Sequence, residues 1–370
     1  MKKLLVNTGK AVMGGIYGLL KFFPTNPYKV LFLSRQADEL SLDFRLLEEE
    51  LRKQVPEVKV VAICNRLDDA KKGMIGFAWD TLRSMAHLAT ARVCVLDAYW
   101  PAVSLLHHKK ALTVIQMWHA IGKIKQSGYQ TLGKESGRSR EMAELLKMHR
   151  GYDMIIAGGK AFNPFYCASF DTTEDKLYNI GLPRIDYLLE TQEENRKKAY
   201  AAYPELAKKK VILYAPTFRR NIDLDWEPLL ADIDFSEYAF ILKSHPNQQL
   251  SSHRAEVMDC PKLSAVELLA VCDYLITDYS AIALEGAVLN KKTYYYLYDF
   301  EEYTAKNGIN VNPFESMPGC AFLDGATLAK TLQNKPYPQD VLDAYRANYL
   351  PEDLGNCTRN LATLVKERLG

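Results

Sequence analysis

The sequence predicts an α/β protein of two Rossmann-like domains whose parallel sheets face each other across a cleft. Three observations predict it. Short β-rich runs alternate with amphipathic helical runs, the pattern of a parallel sheet with crossover helices. The alternation stops at the polar, charged, helical run Glu190–Lys210 and then begins again. At 370 residues the chain is also long for one hydrophobic core.

In the first half, strands are expected at 28–34, 58–64, 92–97, 112–117, 154–157 and 177–180. Helices are expected at 43–54, 74–90, 138–149 and from Gly158-Gly159 to Phe170. In the second half, strands are expected at 211–215, 238–242, 274–276 and 293–298. Helices fall at 227–233, 264–271, 281–289, 326–333, 339–348 and 357–368. The expected division is an N-terminal amphipathic segment (1–24), a first domain (25–190), a connecting helix (191–210), a second domain (211–350) and a closing helix (351–370).

Composition is that of an ordinary globular protein, 48% hydrophobic and 25% charged. A net charge of +2 lacks the concentrated basic face of a nucleic-acid binder, so no nucleic-acid partner is expected. The seven cysteines form no C-x-x-C pair and read as buried free thiols. No H-E-x-x-H pair supports zinc. Asp223-Leu224-Asp225 could be a metal-binding D-x-D but sits in a polar loop. His107-His108-Lys109-Lys110 reads as a solvated turn. No cofactor is required by any motif, and dependence on a divalent cation stays open.

Residues 1–23 stand apart. At 100° per residue, Lys3, Lys10 and Lys21 fall within about 20° of one another on a helix, opposite Leu5, Val12, Ile16, Leu19 and Phe23. The run is too interrupted for a membrane span. It reads either as an interfacial helix, with lysines toward anionic headgroups, or as a helix packed on the protein's own core.

Ligands of open parallel sheets sit beyond the carboxyl ends of the strands. In the first half that place holds Trp118-His119. In the second it holds Pro216-Thr217-Phe218-Arg219-Arg220, Lys243-Ser244-His245-Pro246 and Thr277-Asp278-Tyr279-Ser280. Asp278 and Ser280 could cap the helix that follows or favour a phosphate at its start. Each histidine alone could be structural. Together with arginine, lysine and hydroxyls they suit transfer of a phosphorylated group: cations hold a diphosphate and a histidine takes a proton from an attacking hydroxyl. No G-x-x-x-x-G-K-[ST] and no G-x-G-x-x-G after a first strand occurs, which removes the P-loop and dinucleotide-dehydrogenase readings.

These blocks, in this order, resemble the CDP-glycerol glycerophosphotransferases of bacterial teichoic acid synthesis. The resemblance is carried by W-H-A-I-G-K-I-K-Q-S-G-Y (118–129), N-I-G-L-P-R-I-D (179–186), Y-A-P-T-F-R (214–219), K-S-H-P (243–246) and I-T-D-Y-S-A (276–281) with Y-L-Y-D-F-E-E-Y (296–303). It implies a GT-B fold and a CDP-glycerol donor, or the related CDP-ribitol. It further implies a polyprenyl-diphosphate-linked saccharide or polyol phosphate acceptor, and CMP as leaving group. It implies His119 as general base and His245 as a second catalytic histidine. Thr217, Arg219, Lys243, Thr277, Asp278, Ser280 and Glu285 would serve the donor, and Trp118, Gly122, Lys125 and Arg184 the acceptor or its loops. Ala120-Ile121-Gly122 replaces a common G-T-P variant, which leaves the acceptor open. The length fits a single catalytic unit, favouring a primase-like single addition, at the cytoplasmic face of the cell membrane. A nucleotide-sugar glycosyltransferase or epimerase, and a non-catalytic lipid-linked glycan-binding protein, are the competing readings.

Overall fold

A computed structural model of the chain describes residues 2–66, 72–135, 137–219, 226–244, 248 and 250–370. His245, Pro246, Arg220 and the D-x-D at 223–225 lie outside the described residues.

The first compact unit comprises residues 1–120, 127–186 and 351–370. Its strands are β1 (Lys29–Ser34), β2 (Lys59–Cys64), β3 (Val93–Leu96), β4 (Thr113–Gln116), β5 (Met154–Ile156) and β6 (Leu177–Tyr178). They form one parallel sheet in the order β2-β1-β3-β4-β5-β6. These strands are apolar runs because both faces are covered. On one face Val30, Phe32, Val93, Val95 and Ile115 pack with Phe44, Leu47 and Leu51 of helix α2 (Leu42–Gln54) and with Leu361 and Val365 of the helix Cys357–Lys366. Phe32 stacks on Phe44 with ring centroids 4.7 Å apart.

The second unit comprises residues 121–126 and 187–350. Its strands are β7 (Lys210–Tyr214), β8 (Tyr238–Leu242), β9 (Val257–Met258), β10 (Tyr274–Thr277), β11 (Lys292–Tyr296) and β12 (Ala321–Phe322). They form a second parallel sheet, β12-β11-β10-β7-β8-β9. Residues 187–210 therefore pack with the second unit and 351–370 with the first, where chain order alone suggests a linker and a separate closing helix. The short segment 121–126 joins the second unit by an antiparallel bridge between Lys125 and Ile309 and by the Asn310 N–H donating to the Ile124 carbonyl (2.8 Å).

Two expected helices come out shorter. The 138–149 run is helical only over Arg140–Leu145, capped by Ser139 and ended by left-handed backbone at Lys147 and His149. Residues 227–233 give a single 3₁₀ turn, Glu227–Leu230, with Pro228 at its start.

The G-L-P-R-I-D block is a fastener inside the first unit. Arg184 donates from its backbone N–H (2.9 Å), Nε (2.9 Å) and Nη2 (2.5 Å) to the buried Asp43 carboxylate of α2. Asp186 accepts from the backbone N–H groups of Cys357 (3.1 Å) and Thr358 (2.7 Å), satisfying the start of the C-terminal helix. Gly181 opens the block at φ +73°, and a Cβ there would sit 2.8 Å from Pro351 Cγ and 2.9 Å from Cys357 Sγ.

Helix α1 (Lys2–Leu20) docks by an unexpected face. Tyr17 is buried and its hydroxyl donates to His108 Nδ1 (2.7 Å), while His108 Nε2–H donates to the Val103 carbonyl (2.9 Å). Lys10 Nζ donates to the Leu145 carbonyl (3.0 Å), Lys21 Nζ to the His107 carbonyl (3.1 Å), and Lys3 pairs with Glu141 (2.7 Å). The lysine face is thus turned toward the protein. Val12, Ile16, Leu19, Phe22 and Phe23 are exposed, at 56%, 42%, 69%, 87% and 59%. The His107–Lys110 turn, expected to be solvated, is the seat of α1.

Gly181→Ala should lower stability by about 1–3 kcal/mol, since alanine is strained at positive φ and its methyl has no room. A thermal melt indistinguishable from wild type would contradict this account of the turn.

Candidate functional site

In a doubly wound sheet the loops part where the strand order reverses. In the first unit that point lies between β1 and β3, because β2 and β3 flank β1 on opposite sides. The residues just past those strands are Ser34-Arg35-Gln36 and Asp97-Ala98-Tyr99, with Trp118-His119 past the neighbouring β4. Of these, Arg35, Gln36, Ala98, Tyr99, Trp118 and His119 line a cavity of about 330 Å³ together with Gly128, Thr131, Gly137, Arg138, Met148 and His149.

His119 is held by its ring. Nδ1 lies 3.0 Å from the Asp97 carbonyl oxygen. A carbonyl can only accept, so Nδ1 carries the proton in this bond and Nε2 is the ring's basic nitrogen in the neutral imidazole. The Trp118 ring lies against the imidazole, centroids 4.1 Å apart. Trp118 adopts φ +65°, a left-handed conformation costly for a bulky residue. Its N–H donates to Gln116 Oε1 (2.9 Å), which closes the turn and presents His119. Below, Asp97 accepts from Ser34 Oγ (2.6 Å) and the Arg35 N–H (3.2 Å). Burial pushes its carboxyl up to about 6.

In the second unit the reversal lies between β7 and β10. Here Arg219 is enclosed. Its Nη1 donates to Asp278 Oδ2 (2.6 Å) and the Thr217 carbonyl (2.9 Å), and its Nε (2.5 Å) and Nη2 (3.0 Å) grip both oxygens of Asp299. Both Asp278 oxygens also accept from the Thr217 N–H at 2.9 Å. The guanidinium lies 5.3–5.5 Å from the ring centroids of Tyr279, Tyr298 and Tyr303. Burial alone would lower the Arg219 pKa, but Asp278 and Asp299 outweigh it and hold it above its ordinary value. Thr277 is buried, its hydroxyl donating to the Ala215 carbonyl (2.8 Å).

Arg219 and Thr277, expected to grip a diphosphate, have their side chains on Asp278, Asp299 and the Thr217 and Ala215 carbonyls. Both are buried and spent on joining strand ends. Three groups at the same place differ. The buried Thr217 hydroxyl has no hydrogen-bond partner among the described residues. Ser280 is half-buried. Lys125 lies beside Asp278 and Arg219; burial lowers its pKa and Arg219 adds to that, against the pull of Asp278.

The other expected positions scatter. Lys125 and the buried Gly122 belong to the second unit, whereas Trp118 and His119 from the same block belong to the first. Lys243 turns aside to the Cys260 carbonyl (3.1 Å), and Glu285 is buried within its helix. Arg184 lies in the Asp43 fastener, outside the His119 cavity. Sequence reasoning missed Arg35, Tyr99, Arg138 and His149 around His119, and Asp299 around Arg219. Arg35 directly follows β1 and Tyr99 lies three residues past the end of β3, so the strand-end rule applied to β1 and β3 would have found them. Among the described residues no group of three or more His, Cys, Asp or Glu is placed to hold a metal ion.

The sequence profile of the CDP-glycerol:poly(glycerophosphate) glycerophosphotransferases matches residues 16–367. The chain belongs to this glycerophosphotransferase family. A relative, the teichoic acid ribitol-phosphate primase of Bacillus spizizenii, is 31% identical over 390 residues, covering 100% of this chain and 99% of its own. The teichoic acid glycerol-phosphate primase of Bacillus subtilis is 28% identical over 77% of this chain and 76% of its own. Among solved structures, the wall teichoic acid polymerase TagF (H444N variant) superposes with a TM-score of 0.73 at 20% identity, covering 99% of this chain and 96% of that one. The fold of this glycerophosphotransferase is accordingly GT-B-like, with one parallel sheet in each unit.

Two outcomes test the site. Arg219→Ala leaves two buried carboxylates uncompensated and should cost about 3–5 kcal/mol, with Arg219→Lys failing to restore the bidentate grip; a wild-type melting temperature in either would overturn the clamp. For Asp97, the raised folded pKa means its stabilising contribution is full below about pH 4 and lost as pH rises through 6. Asp97→Asn should therefore gain on wild type between pH 4 and 7.5, by on the order of 2–3 kcal/mol in denaturant titrations.

Proposed function

We propose that the protein transfers an alditol phosphate from a CDP-alditol to a hydroxyl of a lipid-linked saccharide or polyol phosphate acceptor, releasing CMP, with His119 as general base. The observation that carries the residue assignment is the Asp97 carbonyl on His119 Nδ1 at 3.0 Å, which makes Nε2 the proton-accepting atom at the cavity. Family membership supports the reaction type.

As the acceptor hydroxyl attacks the β-phosphorus, its proton passes to Nε2 and the P–O bond to CMP breaks. The imidazolium that forms keeps its Nδ1–H on the carbonyl, so the ring need not turn. The donor is assigned to the second unit, where Thr217 Oγ1, Ser280 and Lys125 meet at the β7/β10 reversal. Arg219 and Asp278 act there as positioning residues. His245 keeps its proposed role as second histidine from the resemblance alone.

Glycerol and ribitol donors both fit this reading. The relative matched end to end is a ribitol-phosphate primase, which favours ribitol and a single addition. The exposed apolar stripe of α1 supports a membrane-surface location, at the cytoplasmic face; no helix among the described residues is long and apolar enough to cross a membrane. Because the lysines face the protein, apolar insertion carries this attachment more than anionic lipid does.

His119→Ala should abolish CMP release from CDP-ribitol or CDP-glycerol while leaving the thermal shift with either donor intact. Wild-type turnover in that variant would end the assignment. Leu19→Glu with Phe22→Glu should abolish sedimentation with neutral and anionic vesicles alike. Retained binding, or binding that salt removes, would end the apolar-insertion reading.

A further inference from the structure

The His119 cavity carries more positive charge than proton abstraction needs. Arg35 reaches it from the end of β1, its Nη1 donating to the Tyr99 carbonyl at 3.0 Å. Arg138 reaches it from the opposite loop, its guanidinium 5.6 Å from the centre of the Tyr99 ring. Tyr99 thus places both cations, one by its backbone and one by its ring. The loop that carries Arg138 is built tightly. The Gly133 N–H donates to the Arg138 carbonyl (3.1 Å), and a Cβ on Gly137 would lie 1.7 Å from the Thr131 carbonyl oxygen. Two guanidiniums at one cavity repel each other, and Arg138 adds to the burial that lowers the Arg35 pKa, against the opposing pull of Tyr99 and the Asp97 carboxylate. An anion between them removes that repulsion and gains charge-assisted hydrogen bonds. A cavity of about 330 Å³ is at the small end for ligand sites, a fit for one phosphorylated polyol unit.

We propose that Arg35 and Arg138 hold a phosphate group of the acceptor, so that the hydroxyl delivered to His119 is one whose neighbour in the acceptor is a phosphate ester. This rests on His119 being the base of the proposed transfer. A neutral saccharide end would reach the same imidazole without that anchor. The acceptor is therefore the product of an earlier phosphotransfer.

The test uses the full chain with saturating CDP-ribitol or CDP-glycerol and two short-chain lipid disaccharides, one ending in glycerol phosphate and one in a neutral sugar. Wild type should favour the phosphate-ended acceptor. Arg138→Gln, on an exposed side chain, should raise its KM about tenfold. The KM values for donor and neutral acceptor should hold within about twofold, and Arg138→Lys should recover part of the loss. Arg35→Gln should act in the same direction. Separately, calorimetric binding of glycerol 3-phosphate without donor should be lost in Arg138→Gln and persist when CDP-alditol is present. That measurement needs no turnover, so it stands even if His119 proves not to be the base. Unchanged acceptor KM, or glycerol 3-phosphate binding that Arg138→Gln leaves intact, overturns the proposal. Competition by CDP-alditol assigns the arginines to the donor and overturns it as well.

Discussion

Parallel strands deliver all their carboxyl ends to one edge of a sheet, and the loops there separate only where the strand order reverses. The candidate site residues of this chain are arranged around that constraint, once in each unit. In the first, the reversal beside β1 opens the His119 cavity. In the second, the reversal beside β7 brings Thr217, Arg219 and Asp278 together. Residues far apart in sequence meet because their strands end there.

The two places use charge in opposite ways. Around Arg219 the guanidinium is buried and held by two carboxylates, so it welds the ends of β7, β10 and the turn at Asp299. A pair buried this deeply is worth little as net stability but is costly to break. Around His119, Arg35 and Arg138 line a cavity, Arg35 from the end of β1 and Arg138 from an exposed loop. The same residue type is enclosed scaffold in one unit and cavity lining in the other.

Helix α1 shows how a correct pattern can still mislead. Its lysines and apolar residues do lie on opposite faces. Docking was decided by partners that amphipathicity does not reveal: the carbonyls of His107 and Leu145, and the His108 ring that receives Tyr17. Those groups take the polar face inward and leave Leu19, Phe22 and Phe23 outside, the reverse of a helix that seeks the protein's own core.

The alternation of strands and helices, the class of fold and the position of His119 after a strand were legible in the sequence, because period and strand-end placement are local properties. The D-Y-S turn after β10 and the arginine of the A-P-T-F-R block were legible as important, and the ordered blocks carried the family. What each side chain does was not legible. Whether Arg219 faces a ligand or two aspartates depends on Asp299, eighty residues on. Nothing in the G-L-P-R-I-D block shows that Arg184 faces Asp43 of α2. The helix Cys357–Lys366 reads as a plain ending until Asp186 caps it against the first sheet. Sequence by itself determined the periods, the elements and which polar residues stand at strand ends. Only the tertiary structure decided which of them are buried with a partner, since burial and pairing are properties of contacts between distant segments.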